Sequence, residues 1–418
     1  MLSRRALSAL LPLALLLCAA VLPDDVIGLN ERAKTAIDEG RHGDAVKLLE
    51  EARALDPNQM VIAKNLAWAY FLRGRSSLEQ LRFDGALADY RRASDLNPEE
   101  SAYRVHLAQL LVRRYRLHES KAVLDGLVVD DPESGDAWLL LGDTLSLQDR
   151  LPDAIEAYDR AAKLGTGNVG EMAARAAERT RRQYAVEHDY RTDKTTYFVI
   201  RGPSDHDGPV FSVRLSGVLE RARSEVCNAL GYYPQQRTTV LLYPPDEFRA
   251  VTGTHEWVGG LFDRKIRLPI ADVERDTEQI EASFRHEFTH LIVSELVPNC
   301  PTFVNEGLAE VMENGRGKGL ETLVSYLDHH PGGRDAMPRI GDLPNTFMEI
   351  EDRDTVSVAY LMSYAFVDHV AGHHGIGAVR KWVESLAAKP LAEAYLAATG
   401  RTLSHEEELF RELVRTAR

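Results

Sequence analysis

Between residues 27 and 166 the apolar positions return at a fixed interval, with small and large residues in matched slots. Trp138, Leu141, Gly142 and Leu145 form one stripe, and Ala154, Tyr158 and Ala161 form a second. Both have the three-to-four-residue spacing of a helix that buries one face. Stepping back 34 residues from Thr166 reaches Pro132, and 34 more reaches Pro98. Leu107, Ala108 and Leu111, then Ser120 and Leu124, fill the same slots one interval earlier. The next step back, to Pro57, is 41 residues, so seven extra residues are expected as an insertion within 73–83. Ala45, Leu49 and Ala52 supply the back half of a first unit. A single hairpin of this size cannot bury its apolar face alone, so the period predicts a stack of about four over 27–166.

Beyond 166 the pattern changes. Glu171 to His188, rich in Ala and Arg, reads as a helix capping the stack within a linker at 167–192. Thr195 to Ile200 alternates as a strand does, and Asp205-His206-Asp207-Gly208-Pro209 is turn chemistry. Phe211 to Leu230 has helical spacing. Thr238 to Tyr243 reads as a second strand, and Lys265 to Ile270 as a third. After about 275 the pattern is helical to the end. The expected architecture is an α-solenoid followed by an α+β domain over 193–418.

The slots of the first half resemble the tetratricopeptide pattern, W-x2-L-G-x2-Y followed by A-x3-F. That resemblance implies a concave face that takes a peptide or a protein partner.

Composition narrows the classes. The chain has 418 residues, 44% hydrophobic and 27% charged, as a globular protein of two or three domains would. Its 50 basic and 64 acidic residues leave a net charge of -14, which argues against nucleic acid or anionic lipid as a partner. Residues 1–22 begin with two arginines, continue apolar and end in small residues, the pattern of a secretory signal. A periplasmic or secreted protein is expected, with an uncleaved anchor as the alternative. No later stretch is long and apolar enough to span a membrane. Outside that segment only Cys227 and Cys300 remain, either paired or as buried thiols.

The chemistry concentrates in Ser283 to Val293, SFRHEFTHLIV. His286 and His290, four apart, share one face of a helix and can reach a single zinc ion, with Glu287 beside the first of them. Phe284, Phe288, Leu291 and Ile292 give that helix an apolar side. Fifteen residues after His290 comes Asn305-Glu306-Gly307-Leu308-Ala309-Glu310. Together the two motifs resemble the gluzincin branch of zinc peptidases (peptidase MA-like) over about 195–400. The resemblance implies Glu306 as third metal ligand, Glu310 as the acid that orients a ligand histidine, and Glu287 as general base. It implies Tyr360, or alternatively Tyr364, as the donor to the oxyanion. It also implies that substrate adds as a strand to the sheet edge at Lys265, Ile266, Arg267 and Leu268. The spacing between motifs is a few residues shorter than in thermolysin-like relatives, and Phe303 stands where many have Trp. There is no Gly-x-Met-Glu-Asn motif, so an endopeptidase is expected rather than an aminopeptidase.

His369, His373 and His374, next to Gly372 and Gly375, read as histidines at a helix end, and His329-His330 read the same way. The expected function is zinc-dependent peptide-bond hydrolysis, with the repeats recruiting substrate or partner. The rival is a repeat scaffold whose peptidase-like domain is purely structural.

Overall fold

The computed structural model describes residues 23–80, 82–203, 209–252, 261–270, 277–344, 346–347, 350 and 352–417. The expected signal at 1–22 and most of the turn at 205–209 lie outside them. By internal packing the chain divides into two compact units, 1–180 and 181–418. Among the described residues no helix is long and apolar enough to cross a membrane.

The first unit is a stack of helical hairpins. They are α1 (Pro23–Asp38) with α2 (His42–Leu55), α3 (Met60–Glu79) with α4 (Phe83–Leu96), α5 (Ser101–Arg113) with α6 (Leu117–Asp130), and α7 (Gly135–Leu147) with α8 (Leu151–Leu164). Then comes α9 (Asn168–Glu187), within which the two units meet in sequence. Ala86, Ser120 and Ala154, spaced 34 apart, are each fully buried, because paired helices approach closely only over a small residue. Gly142 makes the point sharply: a Cβ there would lie 2.5 Å from the Tyr158 ring. A Cβ on Gly74 would likewise meet the Tyr90 ring at 2.7 Å. Both pairs are 16 residues apart, and α3 and α7 both end five residues after their glycine. The seven extra residues therefore do not fall at 73–83. They lengthen α3 at its start, to 20 residues against 13 in α7. A helix absorbs seven residues as two further turns without changing which face it buries.

The second unit is built on a five-stranded sheet, in the order β1-β2-β3-β5-β4 among the described residues. β1 (Arg191–Lys194), β2 (Phe198–Gly202), β3 (Thr238–Tyr243), β4 (Leu261–Phe262) and β5 (Ile266–Pro269) follow chain order. β2, β3 and β5 run parallel, while β1 and β4 flank them antiparallel. Alternation along β3 sorts its side chains between the two faces. Val240 and Leu242 join the main core, while Leu241 and Tyr243 pack with Phe248 and Val251. The latter two lie on α11 (Pro245–Thr252), and Val186 and Tyr190 pack there too.

On the main-core face lie α10 (Pro209–Leu230) and α12 (Thr277–Leu296). Leu219, Ala222 and Val226 of α10 meet Phe284, Phe288 and Ile292 of α12 in one cluster. The chain then continues through α13 (Thr302–Asn314), α14 (Gly319–His329), α15 (Arg353–His374), α16 (Ile376–Leu386), α17 (Leu391–Thr399) and α18 (Leu403–Thr416).

One expectation is corrected by the sheet order. Lys265, Ile266, Arg267 and Leu268 are not the sheet edge, because β4 pairs outside them, Leu261 with Arg267 and Phe262 with Ile266. Residues 263–265 turn the chain back tightly, with Arg264 left-handed at φ 73°. A two-residue strand leaves no alternating pattern to read. Lys265 and Arg267 are also buried, each 4% exposed, rather than open to a substrate.

Candidate functional site

α12 buries Phe284, Phe288 and Ile292 against the sheet, which turns the opposite stripe, His286 and His290, toward α13. Their rings lie 4.8 Å apart between centroids, at 79° to one another. α13 does the converse. Val304, Leu308 and Val311 are buried, and Glu306, Glu310 and Glu313 share one face at i, i+4 and i+7.

The pieces meet. Glu306 Oε2 is 3.6 Å from His290 Nε2 and 3.8 Å from His286 Nε2. One ligand atom from each of the three lies within 4.8 Å of the other two. Bonds of 2.0–2.1 Å in a tetrahedral site hold neighbouring ligand atoms roughly 3.3 Å apart, so a small closure suits zinc.

Charge points the same way. Glu287 is 6% exposed, and burial, with Glu306 and Glu313 adding to it, pushes its carboxyl up to about 8. Burial also raises Glu310, to about 7, again with Glu313 and Glu306 contributing. Burial opposes a proton on His286, but Glu313, Glu287 and Glu306 outweigh it and hold the imidazole up at about 10. Burial wins at His290 and lowers it. Four carboxylates around two imidazoles make a pocket with more negative charge than its own cations balance. A divalent cation bound by nitrogen and oxygen donors fits such a set.

Of the two acids that follow Glu306 on this face, Glu313 rather than Glu310 pairs with His286. Glu313 Oε2 sits 2.7 Å from His286 Nδ1, while Glu310 accepts from Asn314 Nδ2 at 2.7 Å. Both acids are on the correct face, and the crossing of α12 with α13 favours the one nearer the C-terminus of α13. Arg285 fixes that crossing by donating from Nε to the Met312 carbonyl at 2.9 Å. The i+7 position on the helix face was the available signal for Glu313. On the other side, the Asn305 amide faces His290.

The two tyrosines separate. Tyr364 donates its hydroxyl to the Gly315 carbonyl at 2.8 Å, so it holds the turn after α13. Asp368 helps by accepting from Gly317 N at 2.8 Å and Gly319 N at 2.9 Å. Tyr360 is half-buried and packs edge-on to Phe347 at 5.1 Å. Burial raises its hydroxyl, and the charges of Glu306, Glu310 and Glu287 raise it further.

Gly307 sets the distance between α13 and α15. A Cβ there would lie 2.3 Å from the Ser363 carbonyl oxygen and 2.6 Å from Val367 Cγ2. Gly307→Ala is expected to destabilise the second unit by about 1–2 kcal/mol, the overpacking cost net of the helix propensity gained. It should also weaken metal binding, since Glu306 is the adjacent residue. Denaturant unfolding and zinc titration check this, and an unchanged stability would mean the helices separate freely.

An open cleft of about 790 Å³ lined by Thr322, Tyr326, His329, His330 and Leu361 contains none of the motif residues. Cys227 and Cys300 are both free thiols. Burial, helped by Glu306, raises Cys300 to about 12.

A family model of the tetratricopeptide repeat matches residues 30–78, 71–119 and 107–169. No curated protein matches the chain. Among solved structures the chain is similar to MamA from Desulfovibrio magneticus RS-1, at 16% identity and a TM-score of 0.29. That match covers 39% of this chain and 92% of the other. It is also similar to a thermophilic TPR protein of Thermus thermophilus, at 18% identity and a TM-score of 0.26, covering 38% and 82%. The Sgt2 TPR domain from Aspergillus fumigatus follows at 18% identity and a TM-score of 0.15, covering 46% and 97%. The helical hairpins, their fixed period and the family model agree: residues 30–169 of this chain carry tetratricopeptide repeats.

Proposed function

We propose that the second unit is a zinc-dependent endopeptidase of gluzincin type and that the repeats recruit its protein substrate or a partner. One observation carries the reading: His286, His290 and Glu306 converge from two helices, with the buried carboxyl of Glu287 beside them. In this reading His286, His290 and Glu306 hold the ion, and Glu313 orients His286. Bound zinc supplies Lewis acidity that polarises a scissile carbonyl. Glu287 takes the proton of the attacking water and passes it to the leaving amide nitrogen. Tyr360 donates to the oxygen on which charge develops, while the Tyr364 hydroxyl stays on Gly315. In this reading an extended substrate would pair with β4, the outermost strand on that side among the described residues.

A second reading is a repeat scaffold without catalysis, and it has support of its own. The family model falls on the repeats, a class of stack that commonly binds protein. Metal content separates the two readings in part. Glu306→Ala is expected to lose one zinc per chain relative to the parent, measured by elemental analysis. Glu313→Ala should keep the ion but bind it 10–100-fold more weakly, as loss of a histidine-orienting acid does. Full zinc content in Glu306→Ala would remove the assignment.

A further inference from the structure

We propose that the second unit holds a second divalent metal ion, zinc by the chemistry of the donors, at His369, His373 and Glu406. The site is independent of the His286 centre and joins the last turns of α15 to the first turn of α18. One ring nitrogen of each histidine and a Glu406 oxygen lie within 4.8 Å of one another. His369 and His373, four apart, share a helix face, with ring centroids 4.2 Å apart.

Glu406 is 1% exposed, and its ion-pair partners among the described residues are imidazoles. Oε1 is 3.0 Å from His369 Nε2, and Oε2 is 3.1 Å from His374 Nε2. A buried carboxylate facing three imidazoles is a nitrogen-and-oxygen donor set suited to zinc.

Two further observations point to a ligand. His373 Nδ1 donates to the His369 carbonyl at 3.1 Å, because a carbonyl can only accept. In the neutral ring that places the proton on Nδ1 and turns the Nε2 lone pair outward, the arrangement a metal-ligating histidine needs. His373 and His374 also occupy the last turn of α15, where the helix carbonyls favour a cation. Phe366 and Phe410 flank the His369 ring, with centroids at 6.4 Å and 5.4 Å, and hold its plane. His374 is a positioning residue on the second carboxylate oxygen.

The test uses the full chain, stripped of metal with a chelator and titrated with zinc, the ions per chain being counted by native mass spectrometry. The parent is expected to bind two ions, His290→Ala one, and His290→Ala/His373→Ala none. His373 is exposed and has no bond to Glu406, so its removal leaves the His369–Glu406–His374 hydrogen bonds in place. Circular dichroism verifies that the double variant is folded. Zinc should raise the thermal midpoint of His290→Ala but not that of the double variant. A His290→Ala protein that binds no zinc, or a double variant that still binds one ion, overturns the proposal. Failure of the first centre looks different: parent and His290→Ala then bind equally, and His373→Ala alone removes the ion.

Discussion

Glu287→Gln is expected to keep its fold and its zinc and to hydrolyse unfolded protein about 10²–10⁴-fold more slowly than the parent. The reason lies in where α12 puts this carboxyl. Glu287 follows a proposed ligand directly, yet it is not one of the three groups that converge. It is almost fully buried, and in the metal-free site burial, with Glu306 and Glu313 adding to it, raises its carboxyl to about 8. Glutamine preserves its shape and one acceptor but cannot take a proton. The variant therefore separates holding the ion from moving the proton. Measuring kcat on an unfolded protein substrate alongside zinc content gives both halves. A parent that is zinc-loaded and cuts nothing, or an activity unchanged in Glu287→Gln, would retire the peptidase and leave the repeat scaffold.

The second large effect is structural. Glu187→Ala should destabilise the second unit by about 3–5 kcal/mol, because it strands a buried cation. The Glu187 side chain is fully buried, and that of Arg267 is 4% exposed. Arg267 Nη1 donates to Glu187 Oε1 at 2.8 Å, and the Tyr243 hydroxyl donates to the same oxygen. Arg201 Nη1 adds an ion pair at 3.6 Å. Asp263, half exposed, still accepts from Arg267 Nε at 3.2 Å, but Arg267 Nη1 and the Tyr243 hydroxyl lose the acceptor they share. Hydrogen exchange of the β3 and β5 amides should then quicken by about two to four orders of magnitude. Glu187→Leu/Arg267→Met, which removes both charges, should recover most of the loss. If it does not, the cost lies in packing rather than in a stranded charge. A fragment starting at Arg191 would omit Glu187 and should be unstable for the same reason, whereas one starting at Asn168 retains it.

Much of this was legible in the residues because it rests on local geometry. A 34-residue period with small residues at Ala86, Ser120 and Ala154 determines paired helices, since close approach needs a small side chain wherever the hairpin sits. Histidines four apart on a helix share a face whatever lies opposite, so His286 and His290 were a pair before any fold was known. The apolar run from Thr238 to Tyr243 stops at Pro244-Pro245 and forms a strand of those bounds.

What tertiary structure decided is partnership across long sequence distances. Glu310 and Glu313 share a face, and only the crossing of α12 with α13 brings the second to His286 at 2.7 Å. β5 became an inner strand because a pair of residues, Leu261 and Phe262, folds back outside it. The histidines at the end of α15 meet a buried Glu406, 37 residues beyond His369, through the packing of α18. Glu187 and Arg267 are 80 residues apart and find each other only once the sheet exists. Periodicity determines which side chains share a face. Which faces meet depends on the packing of the whole unit, where burial makes a matched charge necessary and a mismatched one costly.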